Sequence, residues 1–332
     1  MVGAAQAAPE TLVVETAERG CRLDQFVQRA TSRGAAPPSR AEVQRWIGMG
    51  AVTLNGAAAR PSDSLRPGDV VVVVRAAAVR TDAAAEEGVR FDVVYADDAL
   101  VVVNKPAGLV VHPARGHATG TLVNGLLARG YFDAADAGIA DSRDPQGHVR
   151  PGIVHRIDKG TSGLLVVART AAAREGLKAQ LSAHTVLREY DAIAVGDVRL
   201  LVHDTLHGRH PRDRLRFTTH VSDGKRAITR VEVVAPFGVA THVRCTLRTG
   251  RTHQIRVHLA ESGTPVLGDA LYGPLPRHPL LASLARALGH QALHARLLGF
   301  THPTTGQTLR FEAPLPADFE QALDRLRDLA AS

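Results

Sequence analysis

Cysteine is almost absent from this chain. Two residues, Cys21 and Cys245, stand far apart in 332 positions. That excludes a disulfide framework and a cysteine metal cage, and it fits a reducing, cytoplasmic setting. Long apolar runs are missing too: none reaches the roughly 18 residues of a membrane span. The first residues lack a basic start followed by an apolar core, so no signal peptide is expected. No Gly-rich dinucleotide fingerprint follows a first strand. Lys159-Gly160-Thr161 holds the residues of a phosphate-binding loop in the wrong order, without the Gly spacing ahead of it. No cofactor and no metal are therefore expected, and the chain has no internal repeat.

What is present is a large apolar complement and a basic surplus. The 332 residues are enough for one large domain plus a small one, and 45% hydrophobic residues allow a real core. Net charge is +7 and the pI is near 10.0, which suits a polyanionic partner, nucleic acid or an acidic membrane surface. The charge is concentrated. Residues 205–256 carry eleven Lys/Arg against three Asp/Glu, a local +8 that exceeds the whole chain's total.

The chain divides by composition. Residues 1–11 are Ala-rich and expected to be disordered. Residues 12–75 have the signals of a small module. A helix opens with Arg22-Leu23-Asp24-Gln25-Phe26-Val27. A second, through Val43, Trp46 and Ile47, has Ser39 and Glu42 as a capping box. A strand then runs into an Asn55-Gly56 turn, and Pro67-Gly68-Asp69 precedes a buried strand at 70–74. Residues 76–90 lack apolar periodicity and are expected as a linker. Residues 91–332 are strand-rich, with helices expected at 119–129, 171–183 and 317–329 and loops at 133–149 and 274–290. Strands outnumber helices without βαβ alternation, so the fold class expected is α+β with a mainly antiparallel or mixed sheet.

The densest chemistry lies in Arg150-Pro151-Gly152-Ile153-Val154-His155-Arg156-Ile157-Asp158-Lys159-Gly160-Thr161-Ser162-Gly163-Leu164-Leu165-Val166-Val167-Ala168-Arg169. Two β-branched apolar runs flank a polar turn whose single carboxylate stands between Arg156 and Lys159. Such a carboxylate is expected to keep its charge and can serve as base or nucleophile; it can equally just shape a turn. Asn104-Lys105-Pro106-Ala107-Gly108-Leu109-Val110-Val111-His112-Pro113 is a second turn after a strand. Arg188-Glu189-Tyr190 leads into a third strand. Leu247-Arg248-Thr249-Gly250-Arg251-Thr252-His253-Gln254-Ile255-Arg256-Val257-His258 reads as a strand with Arg256 on one face and Ile255 and Val257 on the other. Gly208 to Arg216 is a basic loop with four arginines in eight residues, Arg209, Arg212, Arg214 and Arg216, suited to phosphate contact.

These stretches resemble the motifs of the RluA/RluD family of RNA pseudouridine synthases, in that family's order along the chain: N-K-P-A-G-L-V-V-H-P, H-R-(L/I)-D-x-x-T-S-G-L-L, (K/R)-x-Y and T-G-R-T-H-Q-I-R-V-H-L. Ile157 for Leu and Gly160 for a frequent Asp are small departures. The resemblance covers about residues 15–315. It implies isomerisation of uridine to pseudouridine in large-subunit ribosomal RNA or a pre-ribosomal particle. It implies Asp158 as nucleophile, Tyr190 stacked on the target base, and Arg256 as the partner of Asp158, with Arg251 as second choice or as a phosphate contact. Arg156 would fill the gap left by a flipped base or hold a neighbouring phosphate. Lys105 would reach RNA. Residues 12–75 are similar to the S-four-type RNA-binding module, with Arg40 and Arg45 on its RNA-facing helix. A monomer is expected, away from membranes. A non-catalytic RNA-binding assembly factor and a glycosidase-like hydrolase are the alternatives. The first sits poorly with an intact Asp158, Tyr190 and Arg256. The second usually needs two carboxylates at one site.

Overall fold

The structure is a computed structural model that describes residues 9–31, 40–48, 50–74, 84–113, 119–131, 152–199 and 201–332. It forms two compact units, whose described residues lie within 9–74 and 84–332.

The first unit joins β1 (Glu10–Val13), α1 (Leu23–Ala30), α2 (Arg40–Gly48), β2 (Val52–Leu54), β3 (Ala57–Ala58) and β4 (Val70–Val73). Its four strands pair in the order β1-β4-β2-β3, antiparallel throughout. The Asn55-Gly56 turn has both residues at positive φ, as a two-residue hairpin requires. Leu23, Phe26 and Val27 of α1 meet Val43, Trp46 and Ile47 of α2 over Val52, Val71 and Val73. The expected Ser39 cap lies outside the described residues. So do the side chains of Arg40 and Arg45, although both positions fall on α2.

The second unit is built on a ten-stranded sheet among the described residues. In chain order it comprises β5 (Asp92–Ala96), β6 (Leu100–Lys105), α3 (Leu122–Ala128), β7 (Ser162–Ala168), α4 (Ala171–Ser182), β8 (Leu187–Val195), β9 (Leu201–Arg209), β10 (Phe217–Thr218), β11 (Lys225–Pro236), β12 (Ala240–Leu247), α5 (Gln254–Glu261), α6 (Pro279–Leu288), β13 (Leu293–Thr301), β14 (Thr308–Glu312) and α7 (Ala317–Ala331). The strand order is β10-β9-β11-β12-β8-β13-β7-β6-β5, with β14 beside β13. All pairs are antiparallel except β7 with β13. This is the expected α+β fold with a mixed sheet.

β6 and β7 are apolar at successive positions because the sheet is covered on both faces there. Val102, Leu164 and Val166 face Leu177 of α4, while Val101, Val103, Leu165 and Val167 face Leu122 and Leu126 of α3. Thr121 and Thr170 cap those two helices, each hydroxyl accepting a backbone N–H three residues on. At the β7–β13 pairing, Gly163 sits at φ 109°, and a Cβ there would lie 2.3 Å from the Ala295 carbonyl oxygen. Only glycine fits, which ties the T-S-G sequence to the approach of the two strands.

Besides α5, described with the site below, and β1, which begins at Glu10 inside the stretch expected as disordered, two segments depart from expectation. Residues 279–288, expected as loop, form α6. Pro279 stands at its first turn and Leu281, Leu284, Ala285 and Leu288 face the core. Residues 84–90, expected as linker, lie along α3: the Asn124 side chain donates to the Ala84 carbonyl, and Glu86 accepts from Gly120 N–H at 2.6 Å. The expected loop at 133–149 lies outside the described residues.

Candidate active site

Asp158 occupies the turn that leads into β7, and three separate elements hold that turn. Lys159 O accepts from Gly108 N at 2.8 Å and from Lys105 Nζ at 3.2 Å, both from the Asn104–Pro113 turn. Gln291 Nε2 donates to Thr161 Oγ1 at 3.0 Å, and Ser162 Oγ pairs with His294 Nδ1 at 2.8 Å. Thr161 N closes the turn onto Asp158 O at 3.0 Å. At Gly160 a Cβ would stand 2.4 Å from Gln291 Oε1, so the glycine makes room for this clamp.

The Asp158 carboxylate faces Arg256. Arg256 Nη1 donates to Asp158 Oδ2 at 2.8 Å. The rest of the guanidinium is taken by Asp269: Nε donates to Oδ2 at 2.7 Å and Nη2 to Oδ1 at 2.8 Å. Asp269 is itself fixed by Leu271 and Tyr272 N–H groups. A bidentate carboxylate thus sets the plane of the guanidinium and leaves one edge for Asp158. Burial opposes the Arg256 charge, but the hydrogen bonds and charge of Asp269, and then Asp158, outweigh it and hold the guanidinium above its ordinary range. The Asp158 side chain is 16% exposed, so one side of the carboxylate stays open.

Arg256 lies on a helix, not on the expected strand. Gln254 to Leu259 are all buried, so α5 has no polar face and its alternating I-R-V-H-L reads as a strand. Tyr190 sits on β8 and is buried. Burial pushes its phenol up; Arg188 opposes this and Asp158 adds to it, so the hydroxyl is protonated at neutral pH. Tyr272 lies under Arg256, 5.1 Å from guanidinium carbon to ring centroid. His253 Nε2 stands 3.8 Å from Asp158 Oδ1.

Comparison with known proteins gives this arrangement its place. The family description "RNA pseudouridylate synthase" matches residues 99–261, and "S4 domain" matches residues 21–71. An RNA pseudouridine synthase of Bacillus subtilis is 45% identical over 311 residues, covering 92% of this chain and 94% of the relative. A ribosomal large subunit pseudouridine synthase D of Neisseria meningitidis is 43% identical, covering 87% and 75%. The chain belongs to the RNA pseudouridine synthase family. Among solved structures, human RNA pseudouridylate synthase domain containing 4 is 26% identical with a TM-score of 0.52, covering 71% of this chain and 92% of that one.

The remaining expected site residues of this pseudouridine synthase separate into three groups. Lys105 does not reach outward. It is fully buried, and its ammonium donates to the carbonyls of Pro106, Leu109 and Lys159 at 2.8, 2.8 and 3.2 Å. Burial pushes it down to about 7 while Asp158 pulls the other way. It ties two turns together, and its expected RNA contact is corrected on that ground. Arg156 is exposed beside His112, with Nη1 3.4 Å from the ring Nε2. Arg251 does not contact Asp158; its Nε donates to Arg226 O at 3.0 Å.

The four arginines of the basic loop lie along β9 and the turn to β10. Arg209, Arg212 and Arg214 are exposed, and Arg209 crosses the Phe217 ring at 4.9 Å. Arg216 is half-buried and lies 5.4 Å from the Tyr272 ring centroid, on a residue that also touches Arg256. The basic loop and the carboxylate centre therefore share Tyr272.

Asp269, Tyr272 and Gln291 are not singled out by the sequence, and Arg188 stands there only as the basic residue of the (K/R)-x-Y motif. Asp269 did carry a signal. It follows Pro265-Val266-Leu267-Gly268 with no cation nearby in sequence, and a buried carboxylate needs a distant one. Arg188 is buried, with Nη2 on Arg248 O at 3.3 Å, and a Cβ at Gly250 would meet its Nη1 at 2.5 Å.

Proposed function

We propose that this synthase converts specific uridines of large-subunit ribosomal RNA, free or in a pre-ribosomal particle, to pseudouridine, with Asp158 as nucleophile acting on a flipped-out base. The observation that carries it is the Asp158–Arg256–Asp269 chain: one open carboxylate aimed by a guanidinium whose other edge is fixed. The names of the large-subunit relatives supply the substrate class, and the S4 domain agrees with an RNA partner. Residues 12–75 are taken as that RNA-binding domain and 91–332 as the catalytic domain, in a monomer.

A uracil stacked inside folded RNA is out of reach, so it must leave the stack to meet a recessed carboxylate. Tyr190 offers a ring face on which the base stacks for roughly 1–3 kcal/mol, and its protonated hydroxyl can take part in the later proton transfer. Arg156, exposed next to the Asp158 turn, fills the vacated stack or holds the adjacent phosphate in this reading. Arg209, Arg212, Arg214 and Arg216, with Arg251 and the S4 positions Arg40 and Arg45, supply phosphate contacts. The C1′–N1 bond breaks with its electron pair going to the uracil, the base turns, C5 bonds to C1′, the C5 proton leaves and N1 gains one. Atoms balance within the substrate.

Pseudouridine mapping of ribosomal RNA from a deletion strain tests this. Restoring the wild-type gene should return specific large-subunit sites, and Asp158→Asn should bind RNA yet return none. Sites unchanged by deletion refute the substrate class. Restoration by Asp158→Asn within tenfold of wild type refutes the nucleophile.

A further inference from the structure

His253 approaches one oxygen of the Asp158 carboxylate, Oδ1, while Arg256 holds the other, Oδ2. Its backbone is left-handed, φ 60° and ψ 19°, which a residue with a Cβ adopts rarely and which clusters at functional sites. The ring is wedged edge-on between Phe217, 5.7 Å away at 80°, and Tyr272, 5.5 Å away at 79°. Its orientation is therefore determined from both sides.

Its proton is placed as well. Nδ1 lies 2.8 Å from the Tyr272 hydroxyl, and that oxygen accepts a hydrogen bond from Phe217 N at 2.9 Å. The hydroxyl still has its own proton to donate, and Nδ1 is the acceptor it faces. A neutral ring whose Nδ1 accepts carries its hydrogen on Nε2. Burial, the largest influence, pushes His253 below its ordinary range; Asp158 and Asp269 pull it up, while Arg256 and Arg156 push it further down. The ring is neutral at pH 7.

Nε2 lies 3.8 Å from Asp158 Oδ1, which is beyond hydrogen-bond reach. The carboxylate does not consume the donor. A group that came up to that carboxylate would fall within reach of it, and the side chain is 18% exposed.

We propose that His253 is a further catalytic residue, whose Nε2–H donates a hydrogen bond to a uracil carbonyl oxygen as negative charge builds on the base. This rests on the isomerase reading above. Negative charge reaches the uracil oxygens whether the carboxylate adds at C1′, adds at C6, or assists a glycal route. His253 keeps its proton throughout; the C1′–N1 electron pair is held by the base until C5 takes up C1′. A donor set in place before reaction acts where the charge develops, and removing one typically costs 10²–10³-fold in rate.

The test is single-turnover conversion of substrate RNA at saturating enzyme, with RNA affinity and melting temperature measured in parallel. His253→Ala should slow conversion roughly 10²-fold with affinity within threefold of wild type. His253→Gln, whose amide N–H reaches the position of Nε2, should recover at least tenfold of that loss. Alanine within threefold of wild type, or glutamine as slow as alanine, overturns the proposal. If alanine unfolds, nitrogen-15 NMR of the wild-type ring decides: a neutral Nε2–H tautomer at pH 7 supports it, and an Nδ1–H tautomer or an imidazolium overturns it. Wild-type conversion in the same assay reads the isomerase assignment separately, so failure of one is distinguishable from failure of the other.

Discussion

The carboxylate centre and the basic loop on β9–β10 are both charged, yet they hold their charge in opposite ways. At the centre, Arg256 is 8% exposed and both its carboxylates are met at 2.7–2.8 Å. On the loop, Arg209, Arg212 and Arg214 are exposed, and Asp213 is the one acid among residues 208–216. A buried charge must be paired, because leaving it unpaired is expensive. An exposed one can wait in water for phosphate. The centre is built to keep geometry, whereas the loop is built to gain affinity.

The sharpest way to break that contrast is Arg256→Ala. It strands Asp158 and Asp269 together. The stability cost should be about 3–5 kcal/mol, the scale for breaking a buried pair, and turnover should fall at least about 10³-fold. Circular dichroism and single-turnover conversion check the two effects. Arg251→Ala, which removes a bond to the Arg226 carbonyl and a phosphate contact but leaves Asp158 paired, should stay within about tenfold of wild type. If Arg251→Ala proves the slower variant, the wrong arginine has been placed at the centre.

Acid should separate the buried His258 and the half-buried His155 from the loop. Burial, then His203 and His207, push His258 down to about 3; burial, then Arg188, does the same to His155. Both lie below the unfolded value near 6.5. The unfolded state therefore binds more protons between about pH 3 and 6.5, and stability falls as pH drops through that window. Melting temperature measured from pH 7 to 4 should decline, and His258→Gln should flatten the decline. A flat profile in the wild type contradicts the neutral assignment.

The smallest effect is expected at the loop. The triple variant Arg209→Ala, Arg212→Ala, Arg214→Ala should weaken RNA binding and lower the slope of log affinity against log salt by roughly 0.7–0.9 per lost contact. A slope equal to that of the wild type would show that the loop does not meet phosphate.

These two regions were unequally legible in sequence. The basic loop declared itself by charge density. The Asp158 turn was visible through its flanking β-branched runs, and its role came through a family resemblance, as did the partnership with Arg256. The helix under Arg256 was hidden because it is buried all round, which erases the polar face that marks a helix. α6 was legible in principle, since Leu281, Leu284, Ala285 and Leu288 keep helical spacing; Pro279 reads as a breaker but is tolerated at a first turn. The burial of Lys105 is not legible in sequence because one of its three carbonyls, that of Lys159, comes from a turn 54 residues away, and nothing local marks that meeting. Asp269 carries only the weak mark of an acid without a neighbouring cation; its partner lies thirteen residues away, on the buried helix.

The contrast between centre and loop rests most heavily on Asp269, which touches no loop arginine and fixes Arg256 from behind. The single-turnover rate of Asp269→Asn at saturating enzyme, measured beside the triple loop variant, tests it most directly. Asp269→Asn should be at least tenfold slower than wild type with unchanged RNA affinity, and the loop variant should convert bound RNA within twofold of wild type. An Asp269→Asn rate within twofold of wild type, or a loop variant slower than Asp269→Asn once bound, would contradict the division of labour.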